Sequence, residues 1–306
     1  MHEAATLRLV LGDQLNPGHS WFAQVDPGVV YVLMEVRQET DNVLHHAQKI
    51  LAIFAAMRDF ARHLREAGHR VRYVRLDHPS NRQSVTGNLE ALAAHYRVQQ
   101  VQWQHPDEWR LDRQLLDWAA TQSLACEPVD TEHFLTARGD LAGLMAGRQQ
   151  WLMEHFYRHM RRRWKLLLDA HGEPEGGQWN YDHENRKRWP GMPAEPEDWR
   201  PVHDHSALWE MLQRAGVASF GDPQASEVRW PVNRAEALDC LEAFIRTALP
   251  NFGDYEDALA SQAPRLFHSL MSFALNVKML SPLVVVQRAE GAWRAGDAPL
   301  PAVEGF

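Results

Sequence analysis

The stretch Leu7-Arg8-Leu9-Val10-Leu11-Gly12-Asp13-Gln14-Leu15-Asn16-Pro17 decides how the first half of the chain is read. A short apolar run of strand length stops at a glycine and gives way to a polar loop. Val29 to Met34 is a second apolar run. It is followed by a stripe of period 3.6 through Leu44, Ala47, Leu51, Phe54, Met57, Ala61 and Leu64, with Asp41 and Asn42 as caps and Gly68 as its stop. A strand at Val71 to Leu76, a helix around Asn88 to Tyr96, a strand at Val98 to Trp103, a helix at Asp112 to Gln122 and a weaker strand near Cys126 to Val129 complete the series. Repeated β-α-β units of this size predict an α/β domain with a mainly parallel sheet, right-handed crossovers and helices on both faces.

Ligands in such sheets bind beyond the carboxyl ends of the strands. Two loops at those ends carry suitable chemistry: Gly12-Asp13-Gln14, where the glycine permits an unusual backbone, and the residues Glu35, Arg37 and Glu39 after the second strand. Asp13, Gln14 and Glu35 are therefore candidate ligand contacts, with turn capping as the competing reading of Asp13 and Glu35. Neither G-x-G-x-x-G nor G-x-x-x-x-G-K occurs, which excludes a dinucleotide fingerprint and a Walker loop.

Composition bounds the class. The 306 residues are 45% hydrophobic and 24% charged, as in an ordinary globular protein with room for two cores. No apolar run approaches the roughly 18 residues of a spanning helix, and the start lacks the form of a signal peptide; a cytoplasmic protein is expected. Cys126 and Cys240 alone support neither a disulfide framework nor a metal centre. A net charge of -8 argues against a uniformly basic nucleic-acid coat, though not against a local basic patch.

Strand signals stop after about Gly147. Gln149 to Ala170 reads as one helix with the basic cluster Arg158, Arg161, Arg162, Arg163 and Lys165, either a solvated face or a phosphate contact. His155 and His159 lie one turn apart, without the second ligand pair a metal site needs. Gly172 to Pro201 is rich in Gly, Pro, Asn, Asp and Trp and reads as a linker; its segment Trp179 to Lys187 is dense enough in polar and aromatic groups to line a site or pack at a domain boundary. The last third is helical: Asn233 to Leu249 opens on a capping box with Glu236, Pro250 and Gly253 break it, and Pro282 to Ala295 forms another helix. Pro301 to Phe306 reads as the first turn of a further helix, which suggests an incomplete gene product. The expected division is residues 1–147 as the α/β domain, 148–202 as helix plus linker, and 203–306 as a helical domain.

Between Asn251 and Pro282 an apolar helical pattern carries Tyr255, His268, Ser269 and Ser272, hydroxyl-bearing and polar groups suited to an anion at a helix start. The spacing Y-x12-H-S-x-x-S-x-x-L-x5-S-P resembles the start of the flavin domain of the photolyase and cryptochrome superfamily. The blocks L-V-L-G-D-Q-L-N, W-N-Y-D-x-E-N-R-K, R-W-P-V-N-R-x-E-A-L and F-G-D-Y-E-D-A-L, in that family's order, resemble its deoxyribodipyrimidine photolyase-related branch, the iron-sulphur bacterial cryptochromes and photolyases. The resemblance spans essentially the whole chain.

It implies a Rossmann-like antenna domain followed by an all-α, incomplete FAD-binding domain. Tyr255, His268, Ser269, Leu270 and Ser272 take the FAD phosphate side. Asp13, Gln14 and Glu35, with the helix near Lys49, surround a ribityl-lumazine antenna. Arg161, Arg162 and Arg163 face damaged DNA or an interdomain surface. The implied activity is light-dependent DNA repair, of the (6-4) type, by a monomer. A cryptochrome photoreceptor, or a small-molecule-binding α/β protein without activity of its own, are the alternatives. Two positions depart from the motif, Phe273 in place of Pro and Lys278 in place of Gly. The cysteines of the family's iron-sulphur cluster and its repair residues are absent from the sequence, so no catalytic residue is assigned and the chain alone is expected to be inactive.

Overall fold

The computed structural model describes residues 4–147, 149–150 and 152–306. Residues 1–3 of the start read for a signal peptide, Arg148 at the expected domain boundary and Trp151 in the expected long helix lie outside the described residues. In chain order the elements are β1 (Thr6–Leu9), β2 (Val29–Met34), α1 (Arg37–Thr40), β3 (His45–His46), α2 (Ala47–Glu66), β4 (Val71–Val74), α3 (Val85–Tyr96), β5 (Gln100–Gln104), α4 (Trp109–Ala119) and β6 (Ala125–Val129). There follow α5 (Asp140–Leu144), α6 (Met153–Trp164), α7 (Ser206–Arg214), β7 (Ser219–Phe220), α8 (Arg234–Thr247), α9 (Leu249–Tyr255), α10 (Ser272–Asn276), α11 (Pro282–Ala295) and α12 (Leu300–Gly305). The α/β sheet domain and the helical remainder are thus present as expected.

The sheet has the order β4-β2-β1-β5-β6 with every pairing parallel. Strand alternation puts Leu7 and Leu9 of β1, Val30 and Val32 of β2, and Val101 and Trp103 of β5 in one core with Leu89 of α3 and Leu111 and Leu115 of α4. α2 covers β4 and carries its own buried stripe of Ile50, Leu51, Phe54, Met57, Ala61 and Leu64. The chain leaves β1 toward β2 and β4, then crosses back to β5 on the other side of β1. The switch point of the sheet therefore lies between the carboxyl ends of β1 and β5.

Boundaries differ in instructive ways. α2 is capped by His46, whose ring accepts from the Gln48 amide, rather than by Asp41 or Asn42. The basic helix is short, because Lys165 adopts a left-handed conformation and closes α6. Pro250 stands in the first turn of α9, where a missing amide costs nothing, so it starts a helix as well as ending one. Gly253 lies inside α9 because a side chain there would meet Ala302 of α12.

Contacts divide the chain into two compact units, at other points than the expected 147 and 202. The first comprises residues up to Glu132 with Arg200–Glu236 and Asn276–Met279; the second comprises His133–Trp199, Ala237–Leu275 and Leu280–Phe306. The linker thus returns to the first unit at Arg200, and the last residue of α10 with the three that follow it belongs there as well. In the second unit, Trp179 to Lys187 forms a clasp on α9 and α12. The Tyr181 amide donates to Glu304 Oε2 (2.8 Å), Asn185 Nδ2 to the Pro301 carbonyl (3.0 Å), and the Lys187 amide to the Asp254 carbonyl (2.9 Å). Among the described residues no helix is long and apolar enough to cross a membrane.

Candidate ligand site at the switch point

A cavity of about 250 Å³ opens where the loops after β1 and β5 diverge. Its walls are apolar: Leu11, Met34 and Val36 from the strand ends, Ile50, Ile53, Phe54 and Met57 from α2, and Leu111 from α4. Its rim is polar, with Asp13, Glu39, Thr40, Asn42, His45, Lys49, Glu108, Arg110 and Asn276. An apolar slot with a few convergent polar groups suits a small planar heterocycle. Gly12 has ordinary φ; it is needed because a side chain there would press on Ile53 Cγ2 and Met57 Sδ, each at 3.0 Å.

The three sequence candidates occupy different places. Asp13 lines the cavity, and burial pushes its carboxyl above the ordinary carboxylate range, against the pull of Lys278. Gln14 is fully buried behind it. Its Oε1 accepts from the Leu11 amide (3.0 Å) and its Nε2 donates to the carbonyls of Gln104 (3.1 Å) and His105 (3.3 Å), so it stitches the two diverging loops together. Glu35 is fully buried and occupied from all sides: Arg58 Nε (2.7 Å) and Nη2 (3.1 Å), the Tyr73 hydroxyl (2.7 Å) and the Leu76 amide (2.9 Å) all donate to it. It is a bracket between β2, β4 and α2 and does not line the cavity.

Of the other rim groups, Glu39 and Lys49 were marked by the sequence, whereas Arg110, Glu108 and His45 were not. Arg110 Nη2 reaches both oxygens of Glu39 (3.1 and 2.9 Å) and Oε2 of Glu108 (3.1 Å). Lys49 Nζ contacts His45 Nδ1 at 3.2 Å, and burial, then Lys49, lowers the His45 pKa, which keeps that ring a neutral acceptor. Lys278, more than 260 residues from Asp13 in sequence, is 1% exposed and donates to the Asp13 carbonyl and to Asp107 Oδ2, both at 2.7 Å. Its φ of +64° explains the departure noted above, since a left-handed backbone is where glycine is the usual residue.

The candidate residues Tyr255 to Ser272 belong to the second unit, and the backbone between α9 and α10 is irregular. The next helix, Ser272–Asn276, is short, and Leu266 and Leu270 have φ of +45° and +57°. Tyr255 stacks on Phe267 at 5.4 Å between ring centroids, and His268 meets Phe252 edge-on at 6.3 Å. The Ser269 hydroxyl accepts from the Met271 amide at 3.5 Å, and Ser272 is exposed at the start of α10. Hydroxyls rather than a helix dipole would hold a phosphate here, because five residues sum to a small dipole.

The basic cluster separates by burial. Arg161 is 4% exposed and donates to the carbonyls of Leu166 (3.2 Å), Leu167 (2.6 Å) and Trp179 (3.1 Å), so it braces the turn after α6 and offers no free face to a phosphate. Arg162 is exposed, its guanidinium 4.6 Å from the Trp179 ring. Arg163 is exposed and paired with Asp140 at 2.6 Å. Among the described residues no group of three or more His, Cys, Asp or Glu is arranged to hold a metal ion.

The sequence profile of the deoxyribodipyrimidine photo-lyase-related protein family matches residues 8–228. Over 308 aligned residues the chain is 38% identical to a (6-4) photolyase of Agrobacterium fabrum (strain C58), an alignment that covers 98% of the chain and 59% of that protein. It spans well under two thirds of that relative's length. Among solved structures, a bacterial class III photolyase from Agrobacterium tumefaciens superposes with a TM-score of 0.54 at 18% identity, over 100% of this chain and 56% of that one. That likeness speaks to the fold alone.

Proposed function

Because the chain belongs to the deoxyribodipyrimidine photo-lyase-related protein family, we propose that it serves light-dependent DNA repair of the photolyase type, with a (6-4) lesion as substrate, as a cytoplasmic monomer. The observation that carries this reading is the apolar, polar-rimmed cavity at the switch point, sized for a bicyclic chromophore. A ribityl-lumazine antenna fits its chemistry: the apolar side chains of α2 and Leu11 would hold the ring, and Asp13 with the Lys49–His45 pair would meet polar substituents. Gln14 and Glu35 support the site from behind.

The residues Tyr255, His268, Ser269, Leu270 and Ser272 would hold the phosphate side of FAD in this reading, through their hydroxyls and the main chain of the left-handed turn at Leu270. When bound, FAD supplies the light-driven electron that fragments the lesion. The protein's own part is to exclude water, orient the two chromophores and grip the strand; Arg162 and Arg163 supply cations for the backbone of damaged DNA, whose lesion costs only a few kcal/mol to flip out. With Cys126 and Cys240 alone, this chain does not supply a four-cysteine cluster.

Reconstitution tests the reading. A protein that joins this chain to the family's repair residues, incubated with FAD and a ribityl-lumazine, is expected to retain both chromophores, and blue light is expected to restore an oligonucleotide carrying a (6-4) lesion. Retention without restoration would place the protein among photoreceptors. The Ser269→Ala, Ser272→Ala double variant is expected to lose about tenfold in FAD affinity, the worth of one or two hydrogen bonds to a charged group; unchanged occupancy would remove these serines from the flavin site.

A further inference from the structure

Lys278 is placed at a cost. A non-glycine residue in the left-handed region is held there only by surrounding contacts, and burying an ammonium demands full compensation. The backbone is clipped on both sides, by the Leu15 amide donating to the Val277 carbonyl (2.9 Å) and by Arg234 Nη1 donating to the Met279 carbonyl (2.7 Å). The ammonium then bridges the two loops of the switch point, through the Asp13 carbonyl and Asp107 Oδ2. It stands 3.9 Å from Asp13 Oδ2, too far for a hydrogen bond and near enough for Coulomb attraction.

The Asp13 carboxyl is left facing the cavity. Among the described residues no other residue's donor is hydrogen-bonded to it, and the one rim guanidinium, Arg110, is engaged by Glu39 and Glu108. A carboxyl partly withdrawn from water with so little compensation is completed by a donor from a ligand.

We propose that Lys278 and Asp107 are positioning residues that hold the Asp13 carboxylate as the acceptor for an N–H or O–H of the chromophore in the switch-point cavity. This rests on the chromophore reading above. The charges facing Asp13 act in opposite senses: Lys278 favours its ionised form, whereas Asp107 and Glu39, with burial, oppose it. Removing Lys278 therefore raises the pH at which Asp13 ceases to be a carboxylate. Removing Asp107 lowers it, because the lysine's charge then falls wholly on Asp13.

The test uses the whole chain with a ribityl-lumazine as probe, titrated by fluorescence from neutral pH into the carboxylate range, alongside carbon NMR of the Asp13 carboxyl without ligand. The wild-type chain is expected to bind through an acidic limb that follows the Asp13 titration. Asp13→Asn is expected to abolish that limb and weaken neutral-pH binding about tenfold. Lys278→Met is expected to move both the limb and the titration to higher pH, Asp107→Asn to lower pH, and Lys278→Arg to leave them in place. A purely structural role for the cluster would give the two charge-removing variants the same loss with no movement of the limb, and that result overturns the proposal. So does a titration that moves while the limb stays. If the wild-type chain does not bind the probe, the chromophore reading and this proposal fall together, whereas shifts of the Asp13 titration under those conditions would still locate the failure in the ligand rather than in the electrostatics.

Discussion

Around the switch-point cavity the backbone is regular and the side chains fill it in; around Tyr255 to Ser272 the backbone is irregular and side chains hold it in place. In the first region strand order alone fixes where the loops part, and Gln14 and Lys278 only tie them. In the second, Glu195 does work that a ladder does elsewhere: its Oε2 accepts from the Leu266 amide at 3.2 Å while its Oε1 pairs with Arg265 at 2.7 Å. A site set by topology should survive changes at its rim and fail when a buried bracket is lost. A site set by packing should fail when a close contact is forced apart.

The largest effect is expected at Glu35. All four of its contacts are donors, so an amide in its place turns one NH2 toward two other donors. Glu35→Gln should destabilise the first unit by about 3 kcal/mol, the scale for breaking a buried ion pair, and lower its thermal midpoint by roughly 10 °C. Calorimetry showing a change within a degree or two would mean that the bracket is not what holds β2, β4 and α2 together. The matching break in the second unit is Gly253→Ala. The new Cβ would stand 2.7 Å from Ala302 Cα and 2.8 Å from Asn185 Oδ1. Helix propensity favours alanine by about 1 kcal/mol, but a backbone atom cannot step aside, so overpacking wins and a net loss of about 2 kcal/mol is expected in urea titration.

What was legible in the sequence follows the same division. The strands and helices of the first unit were readable because apolar periodicity and punctuation by Gly68 and Gly12 report local structure directly. Asp13 was readable as a loop carboxyl after a strand. Its partner Lys278 was not, since nothing local joins residues so distant, and its only trace was a mismatch at a position where glycine is usual. Glu35 and Arg161 looked like site residues for the reason that they are charged and well placed. Only burial shows that their charges are spent internally. The helix expected through the second stretch gave way to turns because Leu266 and Leu270 take left-handed conformations that no side-chain pattern announces.

Acid should separate the two regions further. His45, His69 and His205, all in the first unit, have pKa values lowered chiefly by burial. Below the ordinary histidine value of about 6.5 the unfolded chain binds protons that the folded unit refuses, so stability is lost as pH falls from there through the lowered values. Asp13, with its raised pKa, acts in the opposite sense, as one group against three. The urea midpoint of the first unit should therefore fall between pH 7.5 and pH 5.5, with His205→Gln reducing the drop. A midpoint independent of pH across that interval would show that these rings are solvated in the folded state.

The smallest effect, and the one that most sharply divides a bracket from a contact, is expected within the arginine cluster. Arg161 and Arg162 are adjacent in sequence, yet one is buried among carbonyls and the other lies exposed over Trp179. Arg162→Ala removes no buried hydrogen bond, so stability should change by less than about 0.5 kcal/mol. If Arg162 meets a phosphate as proposed, its loss should weaken binding to damaged and undamaged duplexes alike and reduce the slope of log affinity against log salt by about one. Arg161→Met should do the reverse, costing about 2 kcal/mol of stability through the orphaned carbonyls of Leu166, Leu167 and Trp179 while leaving that slope unchanged in the fraction that remains folded. An equal loss of salt dependence in both variants would mean that α6 does not present separate inner and outer arginines to DNA, and that burial in the free chain does not govern which cations the strand uses.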